Sequence, residues 1–257
     1  MIKSSVTVSD SLSGLDSLLC RESRVIAIVD RKVGELYHHL IPTKERIFID
    51  ASEKEKTLST VAFITGRLLD MEADRNILLL GIGGGITTDI IGFAASIYKR
   101  GVRFAFIPTT LLAQVDASIG GKNGVNQNGF KNIIGTFCLP EFVWINSAFL
   151  KTLPVRELRN GVSELLKTFI IGNRTAYSEA VKEFGRSEDF SGIDWVQYIS
   201  MASGIKAQIV ENDFRDGGER KKLNLGHSFG HAIERCATAE NVDISHGEAV
   251  SMGIVIA

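Results

Sequence analysis

Arg220, Asn224, His227, His231 and His246 lie near the C-terminus of a chain that has only five histidines. Positions 220, 224, 227 and 231 are separated by four, three and four residues, so any of them that share an α-helix point to one side of it. A solvated stripe at that spacing is normally Glu and Lys, and a core stripe is aliphatic. Imidazole, amide and guanidinium together suit the wall of a site that holds a metal ion and an anion.

A second group lies upstream in NGVSELLKTF, where Glu164 and Lys167 are three residues apart and face one side of a helix whose other positions are apolar. An intrahelical ion pair explains that spacing. Glu164 with His227 and His246 would equally supply the His2Glu donor set of a catalytic zinc. His227 and His231, at i and i+4, form an alternative ligand pair, and spacing does not choose between the two sets.

These side chains need a scaffold, and the chain has two textures. Up to about residue 150, short β-branched runs alternate with amphipathic stretches, the pattern of a parallel sheet covered by helices. Expected strands are Arg24–Asp30, Arg46–Asp50, Asn76–Gly81, Arg103–Pro108 and Phe142–Ile145. From Leu153 onward PVRELRNGVSELLKTFIIG and QYISMASGIKAQIVEN carry longer helical periods. We place the boundary near Lys151, giving an α/β unit over 1–150 and a helical unit over 151–257.

NILLLGIGGGITTDIIGFAASIYKR reads as a buried strand, a glycine turn (Gly81, Gly83, Gly84, Gly85) and a helix. That order sets bare backbone amides and the positive end of a helix dipole beside a bound anion such as a pyrophosphate. The spacing is not GxGxxG, and a tight turn in any α/β protein has the same composition. Glu53 and Lys56 follow the strand ending at Asp50, where a Rossmann-type fold holds ribose hydroxyls, although a solvated charge run reads the same way. Pro108–Gly135, rich in Gly and Asn, carries Asp116, Lys122, Lys131 and Asn132. We expect it to be largely irregular and functional, with a surface hairpin confined to Gly124–Gly129.

Composition narrows the class. The chain has 257 residues, 44% hydrophobic and 23% charged, with a net charge of -1. This balance is that of a globular protein and argues against a nucleic-acid binder. Cys20, Cys138 and Cys236 show no CxxC spacing and no disulfide framework, which fits a reducing cytoplasm. No apolar run approaches the roughly 20 residues that span a bilayer, and the N-terminal stretch lacks the apolar core of a signal peptide. HGEAVSMGIVIA stops within an apolar helical pattern, so we expect further sequence beyond Ala257 and a helical unit that is incomplete here.

In order, GGGITTDIIGFAASIYKRGV, IPTTLLAQVDASIGGKNGVN, GFKNIIG, LPVRELRNGVSELLK, LNLGHSFGHAIE and HGEAV resemble the 3-dehydroquinate synthases, sugar phosphate cyclases related in fold to glycerol dehydrogenase. The likeness runs from about Glu53 to Ala257. It implies a Rossmann-like NAD-binding α/β domain, then an all-α domain, with a site in the cleft between them. The activity implied is conversion of 3-deoxy-D-arabino-heptulosonate 7-phosphate, a small phosphorylated keto-acid, to 3-dehydroquinate and phosphate in the shikimate pathway. Rival readings are another cyclase making an inosose or valiolone, a metal-dependent polyol dehydrogenase, or a fragment that only binds NAD.

The resemblance assigns Glu164, His227 and His246 to a zinc or cobalt ion. It gives catalytic positions to Asp116, Lys167, His231 and Asp216, and substrate-binding positions to Lys122, Asn132, Lys206, Arg220 and Asn224. Arg100 falls on an arginine lent by the partner subunit of a homodimer. NAD-binding positions are Glu53, Lys56, Gly84, Gly85, Asp89, Thr109, Thr110, Lys131, Phe149, Thr152, Leu153 and Glu157. Three departures stand out: Thr88 where the family usually has Gly, Asp216 for a common Glu, and Glu219 for an apolar residue.

Overall fold

A computed structural model describes residues 4–11, 14–186 and 188–257. The chain divides into two compact units, Met1–Thr109 with Ala117–Phe149, and Thr110–Asp116 with Leu150–Ala257.

The first unit is built on a six-stranded parallel sheet. Its strands are β1 (Ser5–Ser9), β2 (Val25–Asp30), β3 (Arg46–Ile49), β4 (Leu78–Gly83), β5 (Arg103–Pro108) and, after a hairpin, β8 (Phe142–Asn146), in the order β1-β8-β5-β4-β2-β3. VIAIVD and LLLGIG are nearly continuous apolar runs because helices cover both faces of such a sheet. Ile26, Ile28, Leu78 and Leu80 are fully buried. Helices α1 (Leu15–Leu19), α2 (Arg31–Tyr37), α3 (Leu58–Asp70) and α4 (Gly85–Ile97) complete the unit.

Four of the five expected strands lie within one residue of where the sequence places them, and β4 is shifted by two. The fourth in chain order, β4, runs to Gly83 rather than stopping at Gly81. Gly81 belongs to the strand because it opposes Phe106, whose ring lies 2.9 Å from where a Cβ would sit. The edge strand β1 was not anticipated. SVTVS is half polar, and its partner β8 is remote in sequence, Ser5 lying opposite Phe142.

The hairpin is longer than expected. Strand β6 (Lys122–Gln127) pairs antiparallel with β7 (Phe130–Phe137) around Asn128 and Gly129, both at positive φ (50° and 80°). Both signs suit a two-residue Asn-Gly turn. Gly124 and Gly135 sit opposite each other, and a Cβ on Gly135 would come 2.2 Å from the Asn123 carbonyl. Glycines that lower strand propensity are here the condition for the strands to approach.

The second unit holds α5 (Val155–Gly172), α6 (Arg174–Phe184), α7 (Trp195–Asn212), α8 (His227–Ala239) and α9 (His246–Ile256). Asn173 and Asp194 cap α6 and α7 by accepting from the amides of Ala176 and Gln197. Of positions 220, 224, 227 and 231, two share a helix and two do not. Arg220 and Asn224 lie in a short 3₁₀ turn, Glu219–Asn224, and Gly226 at φ 77° separates it from α8. Only His227 and His231 share a helix.

Among the described residues no helix is long and apolar enough to cross a membrane. Helices α8 and α9 meet backbone to backbone. A Cβ on Gly253 would lie 2.1 Å from the Gly226 carbonyl and 2.9 Å from the Gly230 amide nitrogen. Because overpacking of this kind typically costs about 1–3 kcal/mol, Gly253→Ala is expected to destabilise the protein by about 2 kcal/mol or more. Urea unfolding measures this, and an unchanged midpoint would contradict so close an approach.

Candidate functional site

In α5, Glu164 and Lys167 point inward from one face, 1% exposed each. Lys167 Nζ lies 2.5 Å from Glu164 Oε2 and 3.9 Å from Asp116 Oδ1. Asp116 is carried by a π turn, Ala113–Ala117. The preceding Leu111 and Leu112 reach α5 at Gly161, where a Cβ would come 2.6 Å from Leu111 and from the Leu112 amide nitrogen. From α7, the buried Lys206 ammonium donates to Asp116 twice, to the carbonyl at 2.5 Å and to Oδ1 at 2.7 Å.

Two imidazoles close on Glu164 from the other side. His246 Nε2 is 3.4 Å and His227 Nε2 3.7 Å from Glu164 Oε1. The His227 and His246 rings are 5.3 Å apart by centroid, and His231 stands 5.5 Å from His227. Donor atoms of Glu164, His227 and His246 all lie within 4.8 Å of one another.

This trio fits a divalent ion. Two ligands about 2.1 Å from one ion in tetrahedral array are about 3.4 Å apart, close to the separations observed. Both Glu164 carboxylate oxygens are buried and, apart from the ion pairs above, make no directed hydrogen bond. Both imidazoles present Nε2 inward. His227 Nδ1 is 3.2 Å from the Leu225 carbonyl, which only accepts, so the proton sits on Nδ1. Nδ1 of His246 faces Glu234 Oε1 at 3.4 Å. A second trio, His231, Glu234 and His246, also gathers, whereas no described trio contains both His227 and His231.

Charges in the cluster are strongly coupled. Burial and the charge of Asp116 would raise Glu164, but His246, Lys167 and His227 overcome them and hold it low. Asp116 behaves likewise: burial raises it, and Lys206 and Lys167 pull it far below the carboxylate range. Burial also depresses Lys206 despite Asp116, helped by Lys167 and Arg220. For Lys167 burial is outweighed by Asp116 and Glu164, and its pKa is raised. His227 is lowered by burial and therefore neutral at neutral pH.

Arg220 is 3% exposed and donates from Nη1 to the Phe214 carbonyl at 2.7 Å. Its loop is organised by Asp213, whose carboxylate accepts from the amides of Gly217, Gly218 and Arg220. Asp216 sits there at φ 59° and adds negative charge beside Arg220. Glu219 pairs with Lys222 at 2.9 Å, outside the cluster. Asn224 and His231 are exposed.

The first unit assembles another group. Gly84 caps α4 and Gly85 opens it, while a Cβ on Gly83 would sit 2.4 Å from Thr87 Oγ1. Thr88 is buried and its hydroxyl donates to the Gly85 carbonyl. Buried Lys56 donates to Asp89 and to Asn132, both at 2.5 Å. The Asn132 amide donates to Asn126 Oδ1, and Asn126 Nδ2 donates to Glu53 Oε1. Glu53, Lys56, Asp89 and Asn132 therefore form one network. The Thr109 amide donates to the Gly83 carbonyl, at the glycine turn.

Other expected positions stand apart. Phe149 packs in the core, its ring 4.9 Å from that of Tyr37. Lys122 and Lys131 are exposed on the hairpin, and Arg100 is exposed at φ 67° after α4. Thr110 Oγ1 accepts from the Ala113 amide at the start of the Asp116 segment. Thr152 and Leu153 precede α5, and Glu157 in its first turn accepts from Asn160.

Two contributors escaped sequence reading. Glu234 is three residues from His231, which marks a shared helix face but not its turn toward His246. Ser245 and Glu248 form a capping box that starts α9 at His246, and the S-x-x-E spacing was there to be read.

Comparison with known proteins identifies the family. The profile described as 3-dehydroquinate synthase N-terminal matches residues 46–160, and that described as 3-dehydroquinate synthase C-terminal matches 161–257. A 3-dehydroquinate synthase of Pyrococcus furiosus is 42% identical over 97% of this chain and 72% of its own length. The chain belongs to the 3-dehydroquinate synthase family. Another member, from Thermococcus kodakarensis, is 47% identical over 82% of this chain and 58% of its own length. The chain thus spans between 58% and 72% of these two relatives.

Among solved structures, the 2-epi-5-epi-valiolone synthase ValA of Streptomyces hygroscopicus, with NAD+ and Zn2+ bound, superimposes with a TM-score of 0.88 at 30% identity, over 100% of this chain and 74% of that one. A 2-deoxy-scyllo-inosose synthase complexed with carbaglucose-6-phosphate, NAD+ and Co2+ gives 0.81 at 27%, over 98% and 70%. A probable glycerol dehydrogenase of Sinorhizobium meliloti, 16% identical with a TM-score of 0.66 over 99% and 75%, shares the fold.

The pKa of His246 makes the metal reading testable. Burial would lower it, but Glu164 and Glu234 lift it to about 9. The metal-free imidazolium thus adds stability that is complete below about pH 6.5 and fades as pH rises through about 9. An ion must displace that proton. Zinc binding at pH 7 is expected to release a proton, and affinity to rise by up to tenfold per pH unit until about pH 9. Calorimetry in buffers of different ionisation enthalpy measures both, and an affinity flat from pH 6.5 to 9 would exclude His246 as a ligand.

Proposed function

We propose that this chain converts 3-deoxy-D-arabino-heptulosonate 7-phosphate to 3-dehydroquinate and inorganic phosphate, using NAD and a divalent metal. The observation that carries the reading is the convergence of Glu164, His227 and His246 beside three buried cations, Lys167, Lys206 and Arg220. Family membership supplies the reaction.

Glu164, His227 and His246 would hold the ion, zinc or cobalt, and the glycine turn with Glu53, Lys56 and Asp89 would hold NAD, Asn132 bonding to Lys56 from the substrate side. When bound, the two supply a Lewis acid for the hydroxyl being oxidised and a reversible hydride acceptor. In this reading residues 1–150 are the NAD-binding domain and 151–257 the metal- and substrate-binding domain.

The rest is the work of this chain's side chains. Lys206 and Arg220 bind and orient an anionic substrate, and burial strengthens each contact relative to water. Asp116, held by two contacts from Lys206, fixes that ammonium in place. Lys167 keeps Glu164 ionised. His231 and Asn224 face the phosphate, and Arg100 is lent across a homodimer. Three free cysteines fit a cytoplasmic protein.

A carboxylate-bearing substrate is favoured over those of the inosose and valiolone synthases by the cation supply, and by 42% and 47% identity to 3-dehydroquinate synthases against 30% and 27% to the other two cyclases.

Purified chain with NAD and zinc is expected to release phosphate and form dehydroquinate in equal amounts, without net NADH, and to stop when chelator is added. Net NADH, or phosphate without dehydroquinate, would refute the assignment. Lys206→Ala and Arg220→Ala are each expected to raise KM for the heptulosonate at least tenfold, equivalent to about 1.4 kcal/mol, with NAD affinity within about twofold. Steady-state kinetics and calorimetry separate the two effects.

A further inference from the structure

Three polar contacts leave one face of α5, from Arg156, Asn160 and Ser163, and all reach α9 or the turn before it. The Arg156 guanidinium pairs with Asp243 at 2.5 Å and with Glu248 at 3.6 Å. Asn160 Oδ1 accepts from the Gly247 amide at 2.6 Å. The hydroxyls of Ser163 and Ser251 are 2.8 Å apart. Positions 156, 160 and 163 are spaced four and three, one stripe of a helix, and Glu164 is the next residue in the chain.

The middle contact differs from the others. The first amides of a helix have no partner within it. In α9 the Glu248 amide is taken by Ser245 Oγ, and the Gly247 amide by a side chain from α5. Gly247 also has no room for a Cβ, which would lie 2.4 Å from the Asn160 carbonyl and 2.7 Å from its Cα. The backbone of α9 therefore rests on the backbone of α5 at this one point. His246 is the residue immediately before it, and its Nε2 lies 3.4 Å from Glu164 Oε1.

We infer that Asn160 is a positioning residue for the metal: by capping Gly247 it sets where the His246 imidazole stands relative to Glu164, four residues further along α5. This rests on the reading of Glu164, His227 and His246 as ligands. A short link between the two ligand-bearing backbones keeps both donors on one ion, whereas its loss leaves α9 joined to α5 by the exposed Arg156 pairs and by the Ser163–Ser251 contact a turn further along. Partners that orient metal ligands typically contribute 10–100-fold in affinity.

The test is zinc affinity of the full chain, by competition with a chromophoric chelator, for wild type, Glu164→Ala, Asn160→Ala, Asn160→Asp and Ser251→Ala. Metal-free thermal midpoints are read in parallel, and Co2+ absorption reports ligand geometry. If wild type and Glu164→Ala bind zinc alike, the metal reading itself fails. If that control weakens binding, Asn160→Ala is expected to raise the dissociation constant at least tenfold and alter the cobalt bands. Ser251→Ala, which loosens α9 away from His246, is expected to stay within about threefold, and Asn160→Asp, which still accepts from the Gly247 amide but loses its bond to Glu157, to weaken binding less than Asn160→Ala.

Wild-type zinc affinity in Asn160→Ala, even with a lowered thermal midpoint, would overturn the inference and leave Asn160 a structural cap. Equal weakening by Asn160→Asp would overturn it too. Should Asn160→Ala not fold, Asn160→Gln, which keeps the amide but displaces it by one methylene, carries the test, and wild-type affinity there is again the refuting result.

Discussion

A carboxylate buried to 1% exposure, Glu164, is the constraint around which the helical unit is organised. An ionised carboxylate away from water is unfavourable by several kcal/mol unless charges and directed bonds compensate it. Here the compensation comes from Lys167 on its own helix and from His246 on α9, with the neutral His227 of α8 closing the cluster. Each must be brought within a few ångströms, so α5, α8 and α9 have little freedom in how they pack. The close contacts at Gly226, Gly247 and Gly253 follow from that demand.

Once Glu164 is in place, its neighbours inherit the electrostatic problem. Asp116 is a second, half-buried negative charge, and alone it would drive Glu164 toward its neutral form. His246 and Lys167 prevent this, while Lys206 loses proton affinity, first through its burial and then through the neighbouring Lys167 and Arg220. Such a cluster is a poor way to stabilise a fold, since buried ion pairs are often replaceable by apolar residues at no loss. It is a good way to receive an anion and a cation, because the groups are already desolvated and held before either arrives.

The parallel sheet meets a different demand with different means. Its glycine turn leaves the α4 N-terminus uncovered by side chains, and a Cβ at Gly83 would collide with Thr87. Nearby, Lys56 is satisfied by Asp89 and Asn132 rather than by solvent. Polar side chains there bond largely to one another, and no side chain among the described residues caps the start of α4, an arrangement that suits a phosphate-bearing cofactor.

Much of this was legible in the sequence because it is local. Continuous apolar runs determined β2, β4 and β5, since a strand buried on both faces has no polar side. Three-residue spacing placed Glu164 and Lys167 on one face of α5, because helical pitch alone sets that direction. The motif order along the chain also pointed to the family. Strand β1 and the full hairpin were not legible: a half-polar edge strand and glycine-rich strands take their stability from partners, not from propensity.

The candidate metal ligands mark the division most clearly. Spacing allowed His227 with His231 as readily as Glu164 with His227 and His246, because it encodes direction within a helix and nothing about distance between helices. Tertiary structure gathers Glu164, His227 and His246, and does so by backbone contact: α8 meets α9 where glycines remove the side chains, and α9 rests on α5 at Gly247. Which side chains exist, and which way each faces, belonged to the sequence; which of them share one point in space depended on how closely three helices can approach.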